Sequence, residues 1–270
     1  MFKKLFCLSL MGLALTFLSH AQQTVNVTSP AAPPPYCSPC IFYSGDFDPR
    51  PAKEPNGLLN GIFPGPTDGQ VWVPFAVSNK IRIQGLIANQ LFTTPPPPDT
   101  PMTWEIRAGV SSGNGGTVQC SGSGTAHATP TGRTFVSGST TYTEWTYKLT
   151  LAPTDYCDLR NPTFAPIEDD KQILPPGGKG QCPPNCYFSM TGDNTGAAPL
   201  AVGASYLSDI PSPAAHHFGL PNVVNNSFFS STSFGYNFVP ATTACTAGSP
   251  VAITQVGCHM FSVGLIGIGK

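Results

Sequence analysis

The chain of 270 residues carries 13 lysine and arginine residues against 14 acidic residues, a formal net charge of −1, and only 10% of its residues are charged. This balance excludes the basic patches that bind nucleic acid or anionic membranes. The 30 prolines and 28 glycines follow no Gly-X-Y period and interrupt almost every long window, which excludes collagen and long helices. With 17 phenylalanines, 8 tyrosines and 3 tryptophans, the composition favours an ordered chain of strands joined by Pro/Gly loops.

The first 21 residues have the pattern of a secretion signal. Lys3 and Lys4 precede an apolar run over 5–18, and Ser19-His20-Ala21 supplies the small residues that a signal peptidase reads. The apolar run is about 14 residues long, shorter than the roughly 20 residues that a membrane-spanning helix needs. We therefore expect cleavage near Ala21 and a secreted protein, extracellular or periplasmic, and a retained membrane anchor is the alternative. No later segment is apolar enough to span a membrane.

After this signal, residues 22–36 are predicted to form a proline-rich arm, and residues 37–270 a single β-domain. The segments with strand signals lie over 71–77, 80–87, 103–110, 117–128, 142–151, 186–190, 228–239 and 260–268. Residues 158–185 hold acidic and Pro/Gly clusters and are predicted to be a long surface loop. Many short strands with turn residues between them predict an all-β fold, an antiparallel β-sandwich or jelly roll with long Pro/Gly-rich loops.

Two of these segments alternate as half-buried strands do. In the first, the residues predicted to face the core are Trp104, Ile106, Ala108 and Val110, with Glu105 and Arg107 facing water. In the second, they are Trp145, Tyr147, Leu149 and Leu151, with Glu144, Thr146, Lys148 and Thr150 facing water.

Loss of the signal removes Cys7 and leaves an even number of cysteines. The remaining cysteines are Cys37, Cys40, Cys120, Cys157, Cys182, Cys186, Cys245 and Cys258. In an exported chain they predict a framework of up to four disulfides, and zinc ligation is the rival interpretation. Spacing suggests a small loop closed by Cys182–Cys186 and a tie between neighbouring strands at Cys245–Cys258, and Cys120–Cys157 is a plausible further pair. The connectivity stays open, because spacing alone does not determine it.

Two strings match catalytic motifs without the structural context that those motifs need. Cys37-Ser38-Pro39-Cys40 has the spacing of a redox dithiol, but no βαβ strand leads into a helix here, so a structural disulfide is favoured. Gly109-Val110-Ser111-Ser112-Gly113 matches the nucleophile elbow, which requires a sharp strand-to-helix turn and a histidine such as His127. The Asn114-Gly115-Gly116 that follows cannot start a stable helix, so a simple turn is favoured.

Five segments of the chain are similar to segments of known exported proteins. They are Tyr43-Ser44-Gly45-Asp46-Phe47-Asp48, Asn56-Gly57-Leu58-Leu59-Asn60-Gly61, Val71-Trp72-Val73-Pro74-Phe75, Trp104-Glu105-Ile106-Arg107-Ala108-Gly109-Val110-Ser111 and Phe261-Ser262-Val263-Gly264-Leu265-Ile266-Gly267. With these motifs, most of residues 43–267 resembles a loose group of uncharacterised bacterial exported proteins. The resemblance implies a β-sandwich and transfers no catalytic residues. Some members of the group carry a C-terminal sorting helix, and this chain departs from that pattern.

Oxygen-bearing side chains gather near the start of the predicted domain, at Asp46, Asp48, Asn56 and Asn60. Carboxylate and amide oxygens on loops are the ligands that calcium requires, and exported β-sandwiches use such an ion to hold a loop in place. A structural calcium is therefore the one cofactor that the sequence suggests. Turn-forming Asp and Asn residues without a metal are the alternative.

Trp72 differs from the other two tryptophans because it is out of phase with its apolar neighbours Val71, Val73 and Phe75. One interpretation is an exposed ring that stacks on a sugar, and the other is a second buried face of the sheet. With no strong catalytic signature, the first hypothesis is a non-enzymatic cell-surface, matrix or binding module whose partner is a glycan or a cell-surface component. The alternatives are a secreted hydrolase whose residues converge only in the fold, and a structural subunit that assembles through strand edges.

Overall fold

The structure is a computed structural model that describes residues 40–44, 57–62, 68–77, 79–137, 139–162, 178–183, 185–193, 200–202, 227–245 and 261–269. Its strands are β1 (Cys40–Tyr43), β2 (Gly57–Leu59), β3 (Gly61–Ile62), β4 (Asp68–Ala76), β5 (Lys80–Phe92), β6 (Asp99–Ala108), β7 (Thr117–Ser137), β8 (Thr140–Thr150), β9 (Cys157–Arg160), β10 (Gly178–Gln181), β11 (Asn185–Asp193), β12 (Leu200–Val202), β13 (Phe228–Ser231), β14 (Tyr236–Pro240) and β15 (Val263–Gly269). A single-turn 3₁₀ helix covers Pro153–Asp155, and α1 covers Ala241–Ala244.

These strands form one continuous sheet that curls into a half-barrel. The strand order is β1-β15-β5-β8-β7-β6-β11-β3-β4-β13-β14, with β9 and β12 also paired to β5, β10 paired to β9, and β2 paired to β12. Within the described strands, the pairs β9–β10 and β3–β11 are parallel and the other pairs are antiparallel. The all-β prediction is confirmed. The predicted sandwich, in which two sheets pack face to face, is not, because the strands belong to one curled sheet.

The alternation predicted for β6 and β8 determines which side chains enter the core. Trp104, Ile106 and Ala108 of β6 are buried, as are Tyr147 and Leu149 of β8. We call this side of the sheet the core face. Apolar side chains are removed from water there, and this burial is the main stabilising contribution to such a fold.

The opposite side of the sheet, which we call the second face, is more buried than the alternation predicts. Glu144 and Thr146 were expected to face water, yet they are 1% and 9% exposed. Thr146 Oγ1 donates to Asn89 Oδ1 at 2.7 Å, and Glu144 Oε2 accepts from Thr131 Oγ1 at 2.9 Å. The prediction for these two residues is wrong because each finds a polar partner on a neighbouring strand of the sheet, Thr146 on β5 and Glu144 on β7. Lys148 and Thr150 are exposed, as predicted.

Two disulfides lie wholly within the described residues and match predicted pairs. Cys120–Cys157 joins β7 to β9, and Cys182–Cys186 closes the short connection from β10 to β11. Cys40 and Cys245 are also disulfide-bonded. The predicted pairs of these two cysteines involve Cys37 and Cys258, which lie outside the described residues, so those pairings stay predictions.

The predicted loop over 158–185 is partly strand. β9 and β10 occupy its two ends and pair with each other in parallel, with Cys157 opposite Gly178. The predicted signal, the proline-rich arm, Asp46, Asp48 and Asn56 lie outside the described residues. Among the residues that are described, no helix is long and apolar enough to cross a membrane.

Candidate functional site

A groove on the second face begins where two neighbouring strands separate. β11 pairs directly with β4 from Asn185 to Phe188, and the last partner on β4 is Val73. Farther along, β3 enters between them, so that Gly61 pairs with Gly69 of β4 and with Gly192 of β11. The short stretch between these two points therefore leaves backbone groups of both strands without a direct partner on the other strand.

The side chain of Asn60 fills this gap. Asn60 is 4% exposed, its Nδ2 donates to the carbonyl of Met190 at 2.9 Å, and its Oδ1 accepts from the backbone N–H of Val71 at 3.1 Å. The amide thus replaces the missing hydrogen bonds of the ladder, which buried backbone groups need. Both ends of the Asn60 amide therefore serve the sheet in this structure, and calcium ligation by Asn60 stays a prediction.

Hydroxyl, amide and carboxylate side chains from four adjacent strands line the groove, which has a volume of about 330 Å³. Its lining residues are Gln70, Thr103, Trp104, Glu105, Ser121, Gly122, Ser189 and Thr191. We call this site the Ser/Thr groove. The cross-strand register places Ser189 opposite Glu105 and Glu105 opposite Ser121, so these three side chains form one row on the second face.

Two of the hydroxyl residues are buried and form the floor of the groove. Thr191 is 2% exposed, and its Oγ1 lies 3.1 Å from Thr103 Oγ1. Ser189 is 3% exposed, and its Oγ has no hydrogen-bond partner among the described residues. A buried hydroxyl without a partner is unusual in native proteins, because burial removes its water without replacing the hydrogen bond. The Ser189 hydroxyl therefore marks the groove as a place where a further polar group fits.

The carboxylate of the groove is held in a fixed orientation. Arg107 Nε donates to Glu105 Oε2 at 2.9 Å, and Nη2 donates to Oε1 at 3.0 Å. The side chains of both residues are 24% exposed. Such a two-point pair fixes the plane of the carboxylate, and each carboxylate oxygen can accept a further hydrogen bond.

Arg107 also joins the groove to an aromatic cluster. Its guanidinium lies 5.1 Å from the ring centroid of Trp72 and 5.6 Å from that of Phe238, within the range of cation–π attraction. Nη1 donates to the carbonyl of Gly115 at 3.1 Å. The aromatic cluster consists of Trp72, Val110, Tyr187 and Phe228, all buried, with Phe238 packed against them.

Trp72 does not present an exposed ring, so that interpretation is wrong. The residue is 1% exposed, and its Nε1 donates to Ser230 Oγ at 2.9 Å. The alternative, a second buried face, is correct. Its cause is the hairpin of β13 and β14, because β13 pairs with β4 with Phe228 opposite Trp72, and Phe238 of β14 lies over the indole.

The string 109–113 does not form a nucleophile elbow. Gly109 and Gly113 have φ values of +73° and +74°, and Ser111 and Asn114 exchange backbone hydrogen bonds of 2.9 Å, so the segment is a tight turn that leads directly into β7. His127 lies at the far end of the β6–β7 hairpin, where it pairs with Asp99 at 3.0 Å. Ten residues of strand separate the two ends, a distance of roughly 30 Å.

The calcium prediction stays untested for Asp46, Asp48 and Asn56, which are not described. Within the described part of the chain, no group of three His, Cys, Asp or Glu side chains is close enough to hold a metal ion.

A second groove of about 400 Å³ lies at the strand ends beside both disulfides, and we call it the disulfide groove. Its lining residues are Lys80, Ala108, Thr117, Gln119, Asp158, Leu159, Arg160, Gly180, Gln181 and Pro183. Gln119 Oε1 accepts from the backbone N–H of Gln181 at 2.8 Å, and Asp158 accepts two hydrogen bonds of 2.8 Å from Arg82. These hydrogen bonds, which Arg82 donates to Asp158, raise the pKa of Arg82. The polar groups named here serve the fold, which distinguishes this groove from the Ser/Thr groove.

Comparison with known proteins identifies no relative. No family model, no curated protein and no solved structure matches the chain. The resemblance to bacterial exported proteins therefore stays a prediction.

Most residues of the Ser/Thr groove were not singled out from the sequence. Glu105 was predicted only to face water, and Gln70, Ser189 and Thr191 carried no motif. The available signal was weak: Ser and Thr residues alternate with apolar residues in 102–106, 121–126 and 188–191. That pattern is also typical of an ordinary solvent-facing side of a sheet.

Proposed function

We propose that this chain is an exported, disulfide-stabilised β-protein that binds a neutral carbohydrate in the Ser/Thr groove and acts as a non-enzymatic cell-surface or matrix module. The observation that carries the proposal is the groove itself. It brings hydroxyl, amide and carboxylate groups from four strands together around the Ser189 hydroxyl, which is buried and has no partner among the described residues.

The chemistry of the lining suits a ligand that is rich in hydroxyl groups. Ser and Thr hydroxyls donate and accept, the amide of Gln70 does both, and the Glu105 carboxylate only accepts. A sugar hydroxyl can match each of these groups because it also donates and accepts. The Glu105 carboxylate only accepts hydrogen bonds, so it offers no donor to the carboxylate of an acidic sugar, and this favours neutral sugars.

The size of the groove and its rigid walls also support the proposal. A volume of about 330 Å³ lies at the lower end of the range of about 300–1,000 Å³ that is typical of small-ligand sites. The strands fix the positions of the lining residues before a ligand arrives, which lowers the entropic cost of binding. Disulfides such as Cys120–Cys157 persist in oxidising compartments, which supports export.

An array of neutral and acidic mono- and oligosaccharides tests this function directly. We expect binding confined to neutral sugars, with calorimetry showing that Glu105→Gln and Ser189→Ala each weaken it at least about tenfold, the value of one lost hydrogen bond to a charged or buried group. Asp99→Asn is the matched control, because it removes an exposed carboxylate at the far end of β6 and should leave the affinity unchanged.

The proposal is wrong if the whole array gives no binding, or if neither groove variant changes the affinity of the glycans that bind. The hydrolase and assembly-subunit hypotheses have no comparable supporting observation in the described part of the chain.

A further inference from the structure

The aromatic cluster beside the Ser/Thr groove has one outer member, Phe238. Its ring centroid lies 5.4 Å from that of Trp72, and the two ring planes are 39° apart. Trp72, Tyr187 and Phe228 are buried, whereas Phe238 is only partly buried. Phe238 therefore covers one side of the Trp72 indole from the solvent side of the cluster.

The backbone of Phe238 is in an unfavourable conformation. Its φ is +46°, and it is the one non-glycine residue in the described part of the chain with a positive φ. A bulky side chain rarely adopts this region, because its Cβ approaches the following carbonyl oxygen. Such strain persists when the surroundings impose it, and it is often found where a ligand is clamped or a segment switches.

The turn between β6 and β7 holds Phe238 in this conformation. The backbone N–H of Gly113 donates to the Phe238 carbonyl at 3.2 Å, and Asn237 Nδ2 donates to the Gly113 carbonyl at 3.1 Å. At Gly115 the lack of a side chain makes room for the ring, because a Cβ there would lie 2.7 Å from two of its atoms. The turn that resembles a nucleophile elbow thus keeps the phenyl ring over Trp72.

Arg107 connects this arrangement to the Ser/Thr groove. The same guanidinium that binds Glu105 at two points lies over the rings of Trp72 and Phe238. A ligand that hydrogen-bonds Glu105 in the groove therefore contacts the carboxylate that holds Arg107. Arg107 in turn packs against the Trp72–Phe238 pair. The apolar face of the Trp72 indole suits the apolar face of a sugar ring, and Arg107 beside it can donate hydrogen bonds to sugar hydroxyls.

We infer that Phe238 occupies a covered sugar subsite on Trp72, which extends the Ser/Thr groove by one ring when Phe238 leaves its strained conformation. The inference rests on the proposed function and names an oligosaccharide as its ligand class. In the free protein the phenyl ring fills the place of the sugar. When a neutral oligosaccharide binds, its second ring stacks on the indole, and release of the strain at Phe238 favours the exchange.

Two variants open the subsite by different routes. Phe238→Gly removes the ring and accepts the positive φ, because glycine has no Cβ. Gly115→Ala keeps Phe238 but places a Cβ 2.7 Å from its ring and 2.8 Å from Arg107 Nη1, so the ring and the guanidinium must both shift. Gly269→Ala is the matched control, since a Cβ there meets nothing within 4 Å.

The three variants and the wild-type chain are compared on the array of mono- and oligosaccharides, and affinities are measured by calorimetry. We expect Phe238→Gly to bind neutral oligosaccharides up to about tenfold more tightly than wild type, because binding no longer has to break the ring contact between Phe238 and Trp72. Its monosaccharide affinity should stay unchanged, as should every affinity of Gly269→Ala. Gly115→Ala also displaces Arg107, so for this variant we expect a higher ratio of oligosaccharide to monosaccharide affinity than in wild type. In wild-type protein, the indole N–H signal of Trp72 should shift when an oligosaccharide binds and not when a monosaccharide binds.

The outcomes separate the subsite from the function on which it rests. If glycans bind through Glu105 but both opening variants keep wild-type affinity, or the Trp72 signal does not move with oligosaccharide, the subsite is wrong and the proposed function stands. If neither wild type nor Phe238→Gly binds any glycan, both are wrong. Acrylamide quenching of tryptophan fluorescence adds a ligand-free measurement: it must rise in Phe238→Gly over wild type, and no rise shows that Phe238 does not cover Trp72.

Discussion

Two buried polar clusters lie on the second face of the same sheet, and they differ in whether the protein satisfies them. In the first, Asn89 Nδ2 donates to Tyr43 Oη at 3.1 Å and to Ser262 Oγ at 2.7 Å, while Asn89 Oδ1 accepts from Thr146 Oγ1. In the second, the Ser/Thr groove, the Ser189 hydroxyl has no such partner among the residues that the structure describes. The first cluster is a structural network that joins strands β1, β5, β8 and the residue before β15. The second keeps hydrogen-bonding capacity that the fold does not use.

The difference follows from how the strands pair beneath each cluster. Asn89 lies where β5 is paired on both sides, with β8 and with β15, so partners surround its amide. Ser189 lies where β11 and β4 separate and only Asn60 spans the gap. At Asn89 the neighbouring strands supply hydrogen-bond partners, whereas at Ser189 the separation of β11 from β4 leaves room beside the hydroxyl.

The largest change in the free energy of unfolding is expected in the Asn89 cluster, where the polar groups have hydrogen-bond partners. Asn89→Ala leaves the hydroxyls of Ser262 and Thr146 buried without the amide, so we expect the free energy of unfolding to fall by about 2–4 kcal/mol. Urea denaturation measures this change. Thr150→Ala on the exposed side of β8 serves as the control and should change stability by less than about 0.5 kcal/mol. A loss of under about 1 kcal/mol for Asn89→Ala would mean that the network is not a stabilising unit.

The hydrogen bonds that Asp68 accepts from Ser233 and Thr232 make a smaller contribution to the free energy of unfolding, and this contribution depends on pH. Burial alone would raise the pKa of Asp68, but hydrogen bonds from Ser233 and Thr232 outweigh it and lower the pKa to about 2. A lowered folded-state pKa adds stability above the ordinary value of 3.8, and this stability is lost as the pH falls towards about 2. We expect Asp68→Asn to cost about 1 kcal/mol at neutral pH and to flatten the decline below pH 4. Melting temperatures of both proteins from pH 7 to pH 2 test this, and parallel curves would contradict it.

The smallest change in the free energy of unfolding, and one of opposite sign, is expected at Ser189 in the Ser/Thr groove. Ser189→Ala removes a buried hydroxyl that has no partner, so without ligand the stability should stay unchanged or rise by up to about 1 kcal/mol. Ser262→Ala is the matched control in the satisfied cluster and should destabilise the protein. Thermal melts of both variants decide the comparison. A clear loss of stability in Ser189→Ala would show that the groove is satisfied in the same way as the Asn89 network.

The local structure of this chain could be predicted from the sequence to a useful extent. The alternation around Trp104 and Tyr147 placed these residues in the core, and the spacing of Cys182 and Cys186 indicated a small closed loop. The pair Cys120–Cys157 was a candidate by elimination among the remaining cysteines. Each of these predictions depends on the neighbours of a residue in sequence, or on a small set of chemically equivalent partners.

The site could not be predicted because it depends on partners that are distant in sequence. Asn60 hydrogen-bonds Met190, a residue 130 positions away, and no local pattern distinguishes this role from that of a loop asparagine near acidic residues. Glu144 shows the same limit, since its alternation predicted exposure while Thr131 and the strands around it bury the carboxylate. Trp72 had a correct alternative, a second buried face, but nothing nearby in sequence indicated which segment covers it.

Residue patterns within single segments indicate that the chain is built of strands, that residues such as Trp104 and Tyr147 face the core, and that the cysteines form disulfides. These properties follow from the two-residue period of a strand and from the chemistry of the thiols. The tertiary structure alone decided that the strands curl into one half-barrel, that β11 and β4 separate over Asn60, and that Phe238 covers Trp72. The reason is physical: alternation is a property of one strand, whereas a groove arises between strands whose pairing is set by contacts across the whole chain.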